Sequence, residues 1–276
     1  VRQIPKIPQN PEWNEFQSRE DVQRIFEGDR YLPVGYDTIS AEIFSLDLTG
    51  NYCFLISGKS RTGKHNCLKA MMNSAKHKGG ELIIIEFNGW KLKKVAEDVQ
   101  ALYIDSYEEY MDFMSRFVPV FQSRNRLKKS LISQGLEEDA VYTQMSKEKP
   151  YYIFIADLVE YTKLMHSEQG AKDNLCGAMA NLFDKGFLHN IYFFACMNQD
   201  QRADVMGKEV FEKFISGKAG IHMGGNVAAQ RILEFTGMPF GEQTRSEKPG
   251  IGLIASTDGH KYHRIVIPLV KGPTVL

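Results

Sequence analysis

The sequence has no excess of charge of either sign. Lys and Arg number 34 and Asp and Glu number 34 among 276 residues, so the formal net charge at pH 7 is zero. Without a bulk positive field, a protein gains little from long-range attraction to nucleic acid or to an anionic membrane. The composition therefore favours no nucleic-acid partner, and only a local basic patch could bring one in.

Long apolar runs and paired cysteines are also missing. No stretch approaches the ~20 apolar residues of a membrane-spanning helix, and no signal peptide is visible. The four cysteines, Cys53, Cys67, Cys176 and Cys196, form no CxxC pair. We expect them to be small core residues in a reducing compartment, and we predict no metal site.

What the sequence does contain is a phosphate-binding motif, Gly58-x-x-x-x-Gly63-Lys64, between an apolar segment and a predicted helix over residues 66–76. In such loops backbone N–H groups surround phosphates and the lysine reaches the outer ones. The helix that follows presents the positive end of its dipole to the same place. The predicted nucleotide-binding residues are Gly58, Lys59, Ser60, Arg61, Thr62, Gly63, Lys64, His65 and Asn66.

One residue departs from this motif. His65 stands where a Ser or Thr hydroxyl would coordinate Mg²⁺. It could donate to a phosphate, face solvent, or mark the loss of the metal. We favour the last, because Mg²⁺ prefers oxygen ligands in octahedral geometry and an imidazole is a poor substitute. We therefore expect ATP to bind weakly or not at all, and Mg²⁺ not to bind in the usual way.

A second departure follows the apolar strand predicted over residues 151–156. Motor ATPases usually carry Asp-Glu at this point, where the acids hold the metal and polarise the attacking water. Here the pair is Ala156-Asp157 or Asp157-Leu158, depending on register, so one acid is missing. Asp157 is the candidate catalytic residue, as a water-mediated metal ligand, and a helix N-cap is the alternative.

Two further sequence features could be functional, but each also has a simple structural explanation. Asn198 or Gln199, after the apolar run at residues 191–197, could sense a γ-phosphate, although an ordinary loop is favoured. A basic cluster ends the long helix predicted from residue 106, and we interpret it as a solvated helix end rather than a nucleic-acid contact. The cluster comprises Arg124, Arg126, Lys128 and Lys129.

The fold class follows from apolar runs of strand length at residues 82–87, 151–156 and 191–197, separated by helical segments. This pattern predicts an α/β fold with a mostly parallel sheet flanked by helices. Residues 251–256 and 262–269 predict an antiparallel C-terminal pair across Asp258-Gly259. We also predict a helix over residues 226–235 and a helical region over residues 158–187 interrupted near Gly170.

The order of these motifs resembles the FtsK/SpoIIIE family of RecA-like P-loop ATPases. The resemblance begins at residues 32–37 (Leu-Pro-Val-Gly-Tyr-Asp), includes the glycine loop and residues 155–157, and ends near residues 250–253 (Gly-Ile-Gly-Leu). Within the family it is most similar to the last ATPase domain of the EssC/EccC-type translocases of type VII secretion. It implies an ATPase domain at residues 31–276, preceded by an arm and linker helix at residues 1–30.

The same resemblance implies a setting. We expect a piece of a longer, membrane-anchored protein on the cytoplasmic face of the cell membrane, cut at a proline-rich linker near Val1. The implied partners are neighbouring ATPase domains of the same polypeptide, small secreted helical proteins and a possible homo-oligomer.

A third departure completes the pattern, because Lys218-Ala219 stands where motors often carry an arginine; the role of Arg231 stays open. Each lost transition-state contact commonly costs roughly 3 kcal/mol, so fast hydrolysis is hard to reconcile with three losses. We predict a degenerate, weakly or non-hydrolysing nucleotide-binding domain that acts in regulation or substrate docking. The alternative is an active motor, which could translocate DNA.

Overall fold

The fold is organised on one sheet, and the computed structural model describes residues 6–224, 226–255 and 262–272. The strands are β1 Tyr31–Asp37, β2 Ile43–Asp47, β3 Cys53–Gly58, β4 Glu81–Ile85, β5 Leu102–Ile104, β6 Tyr151–Ile155, β7 Ile191–Asn198, β8 Gly220–Met223, β9 Ile251–Ala255 and β10 Tyr262–Val266. Their order across the sheet is β2-β1-β10-β9-β8-β3-β7-β6-β4-β5.

Eleven α-helices lie in the described chain. They are α1 Trp13–Gln17, α2 Glu20–Phe26, α3 Lys64–Lys76, α4 Lys93–Val99, α5 Tyr107–Ser133, α6 Glu138–Met145, α7 Leu158–Met165, α8 Glu168–Lys172, α9 Leu175–Lys185, α10 Glu209–Ile215 and α11 Phe240–Gln243. Short 3₁₀ turns occupy Leu48–Gly50, Gln199–Asp204 and Val227–Ala229. Within the described residues, no helix is both long and apolar enough to cross a bilayer.

The sheet has a parallel and an antiparallel part. Strands β8, β3, β7, β6, β4 and β5 run parallel to one another. Strands β9, β10, β1 and β2 add antiparallel pairs at the other end. The predicted α/β class, with an antiparallel C-terminal pair, is confirmed; the predicted turn at Asp258-Gly259 lies outside the described residues.

Alternation along the buried strands divides the core into two layers. In β3, Phe54 and Ile56 point to the face covered by α1 to α4. Leu55 points to the opposite face, which α5, α7, α9 and α10 cover. Both faces of the parallel strands are thus buried, which explains their nearly continuous apolar sequences.

The predicted core roles of cysteine are largely confirmed. Cys53, Cys67 and Cys196 are buried with free thiols. Cys176 is half-buried, and its Sγ lies 3.4 Å from Nε2 of His166. None of the described His, Cys, Asp and Glu side chains forms a group of three that could hold a metal ion.

One helix prediction is wrong. Residues 226–235 form only the 3₁₀ turn Val227–Ala229, because the Gln230 side chain hydrogen-bonds backbone groups that would otherwise pair within a helix. The predicted interruption of the helical region near Gly170 is confirmed, since the helices break at residues 166–167 and 173–174, on either side of α8. Gly170 lies inside α8, where a Cβ atom would come within 2.4 Å of the Met165 carbonyl oxygen.

The basic end of α5 also differs from its prediction. Arg124 is buried and donates to three carbonyl oxygens in the loops that precede β6 and β7. Lys128 donates to the carbonyl oxygens of Lys185, the last residue of α9, and of Phe187 just beyond it. The solvated-end interpretation is therefore wrong for these two residues, and it holds for the exposed Arg126 and Lys129.

The N-terminal helices share the core of the sheet. Trp13, Phe16 and Val22 are buried in the layer that also contains α3, and the Phe16 ring meets that of Tyr36 in β1 edge to face at 5.2 Å. The domain boundary near residue 30 stays a prediction.

Candidate functional site

The site lies where the carboxyl ends of the parallel strands meet. Gly58 at the end of β3 is in register with Asn198 at the end of β7. Ile155 of β6 is in register with Ile85 of β4, so the residues after both strands also meet there. Ligands of open α/β sheets bind at this edge, because the loops that follow the strands converge on it.

Close backbone contacts explain both glycines of the motif. A Cβ atom at Gly58 would lie 2.2 Å from the carbonyl oxygen of Met223. Gly63 has a φ of +95°, and a Cβ there would lie 2.9 Å from the amide nitrogen of Gly250. Glycine is the residue that fits such approaches and left-handed backbone without strain. The spacing in the sequence therefore reflects the shape of the loop.

Hydrogen bonds hold the loop in shape. The Lys59 carbonyl oxygen accepts from Lys64 Nζ and, at 2.8 Å, from Thr62 Oγ1. Asn198 Nδ2 donates to Ser60 Oγ at 3.0 Å, which ties the loop to the end of β7. These internal hydrogen bonds shape the loop, and the Lys64 ammonium donates to a neutral carbonyl that an anion could replace as its partner.

The backbone N–H groups of residues 60–64 donate to no residue that the structure describes. Residues 60–63 lie in the loop before α3, and Lys64 begins α3, where the N–H groups of the first turn have no acceptors within the helix. Unpaired N–H groups at a helix N-terminus after a glycine loop form an anion-binding concavity. The loop is therefore suited to phosphate.

A cleft of about 620 Å³ opens beside the loop. Three cationic side chains line it, Arg61, Lys64 and Lys91, and among the described residues Asp157 is the one acidic residue in its lining. The other lining residues are Ser60, Gly63, His65, Asn66, Ala156, Cys196, Met197, Asn198, Gln201 and Pro249. This charge distribution attracts anions.

Burial controls the protonation of two of these groups. Burial lowers the pKa of Lys64 below its ordinary value, against the charges of Cys196, Asp200 and Asp157, which raise it. Burial is also the largest cause that lowers the pKa of His65, and the charge of Lys91 lowers it further. The His65 imidazole is therefore neutral at neutral pH and adds no positive charge to the cleft.

Two of the oxygen donors that usually hold Mg²⁺ in such a cleft are replaced or engaged elsewhere. The position of the usual hydroxyl holds the His65 imidazole. Asp157 Oδ1 accepts from the backbone N–H groups of Val159 and Glu160 at 2.9 and 3.2 Å, which caps α7. The N-cap interpretation of Asp157 is thus confirmed, and its catalytic role stays a prediction. A neutral imidazole and one capping carboxylate offer Mg²⁺ few of the oxygens it prefers.

The structure places the other predicted residues as follows. Gly58, Lys59 and Thr62 shape the loop without lining the cleft. Asn66 lines it, but its side-chain amide bonds Pro268 O and Val270 N at 3.0 and 2.9 Å. Asn198 ends a strand rather than lying in an ordinary loop.

The remaining candidates lie elsewhere. Gln199 starts a 3₁₀ turn and does not line the cleft. Lys218 forms an ion pair with Glu234. Arg231 is exposed and does not line the cleft.

Sequence reasoning missed Lys91, Gln201 and Pro249. A signal was available for Lys91, because it follows a buried parallel strand and the ends of such strands share one edge. Pro249 had no local signal. It reaches the cleft because the amide of Gly250 donates to the Thr62 carbonyl oxygen at 3.0 Å.

Comparison with known proteins shows which solved structures share this fold. No protein-family model and no curated protein sequence matches the chain. Its fold is similar to the cytoplasmic domain of EssC, with a TM-score of 0.78 and 18% identity, over 97% of this chain and 49% of that one. It is also similar to Thermomonospora curvata EccC (ATPases 2 and 3) in complex with a signal sequence peptide, with a TM-score of 0.68 and 14% identity, over 98% and 45%.

A third similar structure is the pCW3 conjugation coupling protein TcpA with ATPγS, with a TM-score of 0.66 and 15% identity, over 96% of this chain and 71% of that one. The chain therefore has a RecA-like ATPase fold. In particular, the predicted resemblance to the EssC/EccC ATPase domains is confirmed for the fold. The chain spans about half the length of the EssC and EccC structures.

The capping role of Asp157 can be tested by substitutions that either remove or keep its capping oxygen. Asp157→Ala removes the cap of α7 and should lower the free energy of unfolding by about 1 kcal/mol. Asp157→Asn keeps a capping oxygen while removing the charge, and should unfold close to wild type. Urea denaturation followed by circular dichroism measures both. An alanine variant as stable as wild type would contradict the capping role.

Proposed function

We propose that this chain is a degenerate nucleotide-binding domain of a membrane-anchored type VII protein secretion ATPase. In this proposal it binds ATP weakly at the glycine loop, hydrolyses it slowly or not at all, and acts in regulation or substrate docking. The membrane anchor would belong to another part of the same protein.

The observation that carries the proposal is a phosphate-binding loop beside a strand end that lacks the paired carboxylates of a motor ATPase. The unpaired N–H groups of residues 60–64 and the cation of Lys64 support binding of phosphate. The residues on either side of Asp157 are Ala156 and Leu158, both buried, so neither position supplies a second carboxylate. With the metal hydroxyl also replaced, the contacts that stabilise charge in the transition state are reduced, and turnover should fall by orders of magnitude.

A neighbouring cavity supports a nucleotide rather than free phosphate. It measures about 700 Å³ and shares Gly63, Asn66 and Pro249 with the cleft. Its other walls come from residues 7–12 of the N-terminal arm and from the region of β9 and β10. A ligand whose phosphates occupy the loop could therefore place its base and ribose here.

The secretion setting rests on likeness of fold. The EccC structure that the chain resembles contains ATPases 2 and 3 and is in complex with a signal sequence peptide. By analogy, this chain would work beside neighbouring ATPase domains, or copies of itself, and would contact small secreted helical proteins. A DNA partner is less favoured, because Arg124 and Lys128 of the basic cluster are engaged within the fold.

The nucleotide part of the proposal is tested by ATP titration and turnover. The wild-type chain should bind ATP with little dependence on Mg²⁺ and turn over far below about 1 s⁻¹, the lower end of usual enzyme rates. Lys64→Ala should weaken ATP binding roughly tenfold or more, because a charged hydrogen bond to phosphate is lost. Turnover near about 1 s⁻¹ that disappears in Lys64→Ala would contradict the proposal and support the motor alternative.

The docking part needs a separate measurement. Small helical proteins exported by the same cell should be enriched on the immobilised chain relative to an unrelated RecA-like domain of similar size and charge. The comparison controls for the fold itself. Equal recovery on both domains would argue against substrate docking and leave regulation as the role.

A further inference from the structure

The loop between β4 and α4 is built around a buried carboxylate. Glu86 is 5% exposed, and its Oε1 accepts from the backbone N–H of Lys91 at 3.0 Å. Its Oε2 accepts from the backbone N–H of Leu92 at 2.8 Å and from the Tyr103 hydroxyl at 2.9 Å. A Cβ atom at Gly89 would lie 2.8 Å from Glu86 Oε1, so the loop wraps tightly around the carboxylate. These contacts fix the backbone at Lys91.

The side chain of Lys91 is available to a ligand. Lys91 lines the cleft together with Lys64 and His65 and is exposed. Its ammonium forms no hydrogen bond or ion pair with any residue that the structure describes. Glu86 does not neutralise it by direct contact, since that carboxylate is occupied by backbone N–H groups and a hydroxyl. A rigid backbone thus presents a free cation to the cleft.

Lys91 lines the same cleft as His65, the residue that stands where the metal hydroxyl is missing. Burial is the largest cause that lowers the pKa of His65; the charge of Lys91 lowers it further, and the charge of Glu86 raises it. The three cations that line the cleft outnumber its one carboxylate, and this balance disfavours a divalent metal ion and attracts a triphosphate. In active P-loop ATPases the metal neutralises the outer phosphates. Here a cation of the protein lines the cleft in which those phosphates would lie.

We infer that Lys91 substitutes for the metal, so that the cleft binds a nucleoside triphosphate in its metal-free form. The inference rests on the proposed nucleotide binding and adds the form of the ligand and the residue that selects it. The Lys91 ammonium contacts the outer phosphates within the cleft, and Glu86 acts as a positioning residue through the loop backbone.

The test is an ATP titration by calorimetry, in excess EDTA and in excess Mg²⁺, on the whole chain. Wild type should bind at least as tightly in EDTA as in Mg²⁺. Lys91→Ala should weaken binding in EDTA roughly 10- to 100-fold, the range expected for a lost charged hydrogen bond, and less in Mg²⁺. Lys93→Ala is the matched control, since Lys93 is exposed two residues away and lies outside the cleft lining, and it should change the affinity less than about twofold.

The outcomes separate the two claims. Wild-type binding in EDTA that Lys91→Ala leaves unchanged would overturn the inference while the nucleotide site stands. Binding by wild type that needs Mg²⁺ would also overturn it. Failure of wild type to bind ATP under either condition would overturn the proposed function and this inference with it.

Discussion

The site depends on the close approach of the chain at the two ends of the glycine loop. Gly58 passes the Met223 carbonyl and Gly63 passes the Gly250 amide at distances that leave no room for a side chain. These contacts join β3 and α3 to the neighbouring strands β8 and β9. Because they fix where the loop leaves the sheet and where the helix begins, they also fix the direction of the unpaired N–H groups. The shape of the phosphate cradle is thus a consequence of backbone packing.

The chemistry around the cradle follows from its charge balance. A motor would hold a metal ion at the outer phosphates with the loop hydroxyl and an acidic side chain. This cleft holds three cations, a neutral imidazole and one carboxylate that caps a helix. In the proposed function, such a site would stabilise the ground-state charge of an anion more than the charge that develops during hydrolysis, which would favour binding over turnover. The proposed role in control or docking follows from that balance.

Local sequence signals predicted the strands, most helices and the glycine loop. The parallel strands are buried on both faces, so their continuous apolar sequences predicted them clearly. The glycines of the loop were predictable because the local backbone there has no room for a side chain. What sequence could not predict depends on contacts between distant segments. Arg124 bonds carbonyl groups of two other loops, and the Asn66 amide bonds the segment after β10. The predicted helix over residues 226–235 does not form, because the Gln230 side chain hydrogen-bonds nearby backbone groups. Helix propensity does not predict such a local side-chain contact.

The central claim is that the cradle holds a triphosphate without a divalent metal ion. Crystals of the chain grown with ATP and MnCl₂, measured at the manganese absorption edge, test it most directly. We predict triphosphate density on the N–H groups of residues 60–64, with the Lys64 and Lys91 ammonium groups at the outer phosphates and no anomalous peak in the cleft. An anomalous peak bridging the phosphates and Asp157 would contradict it.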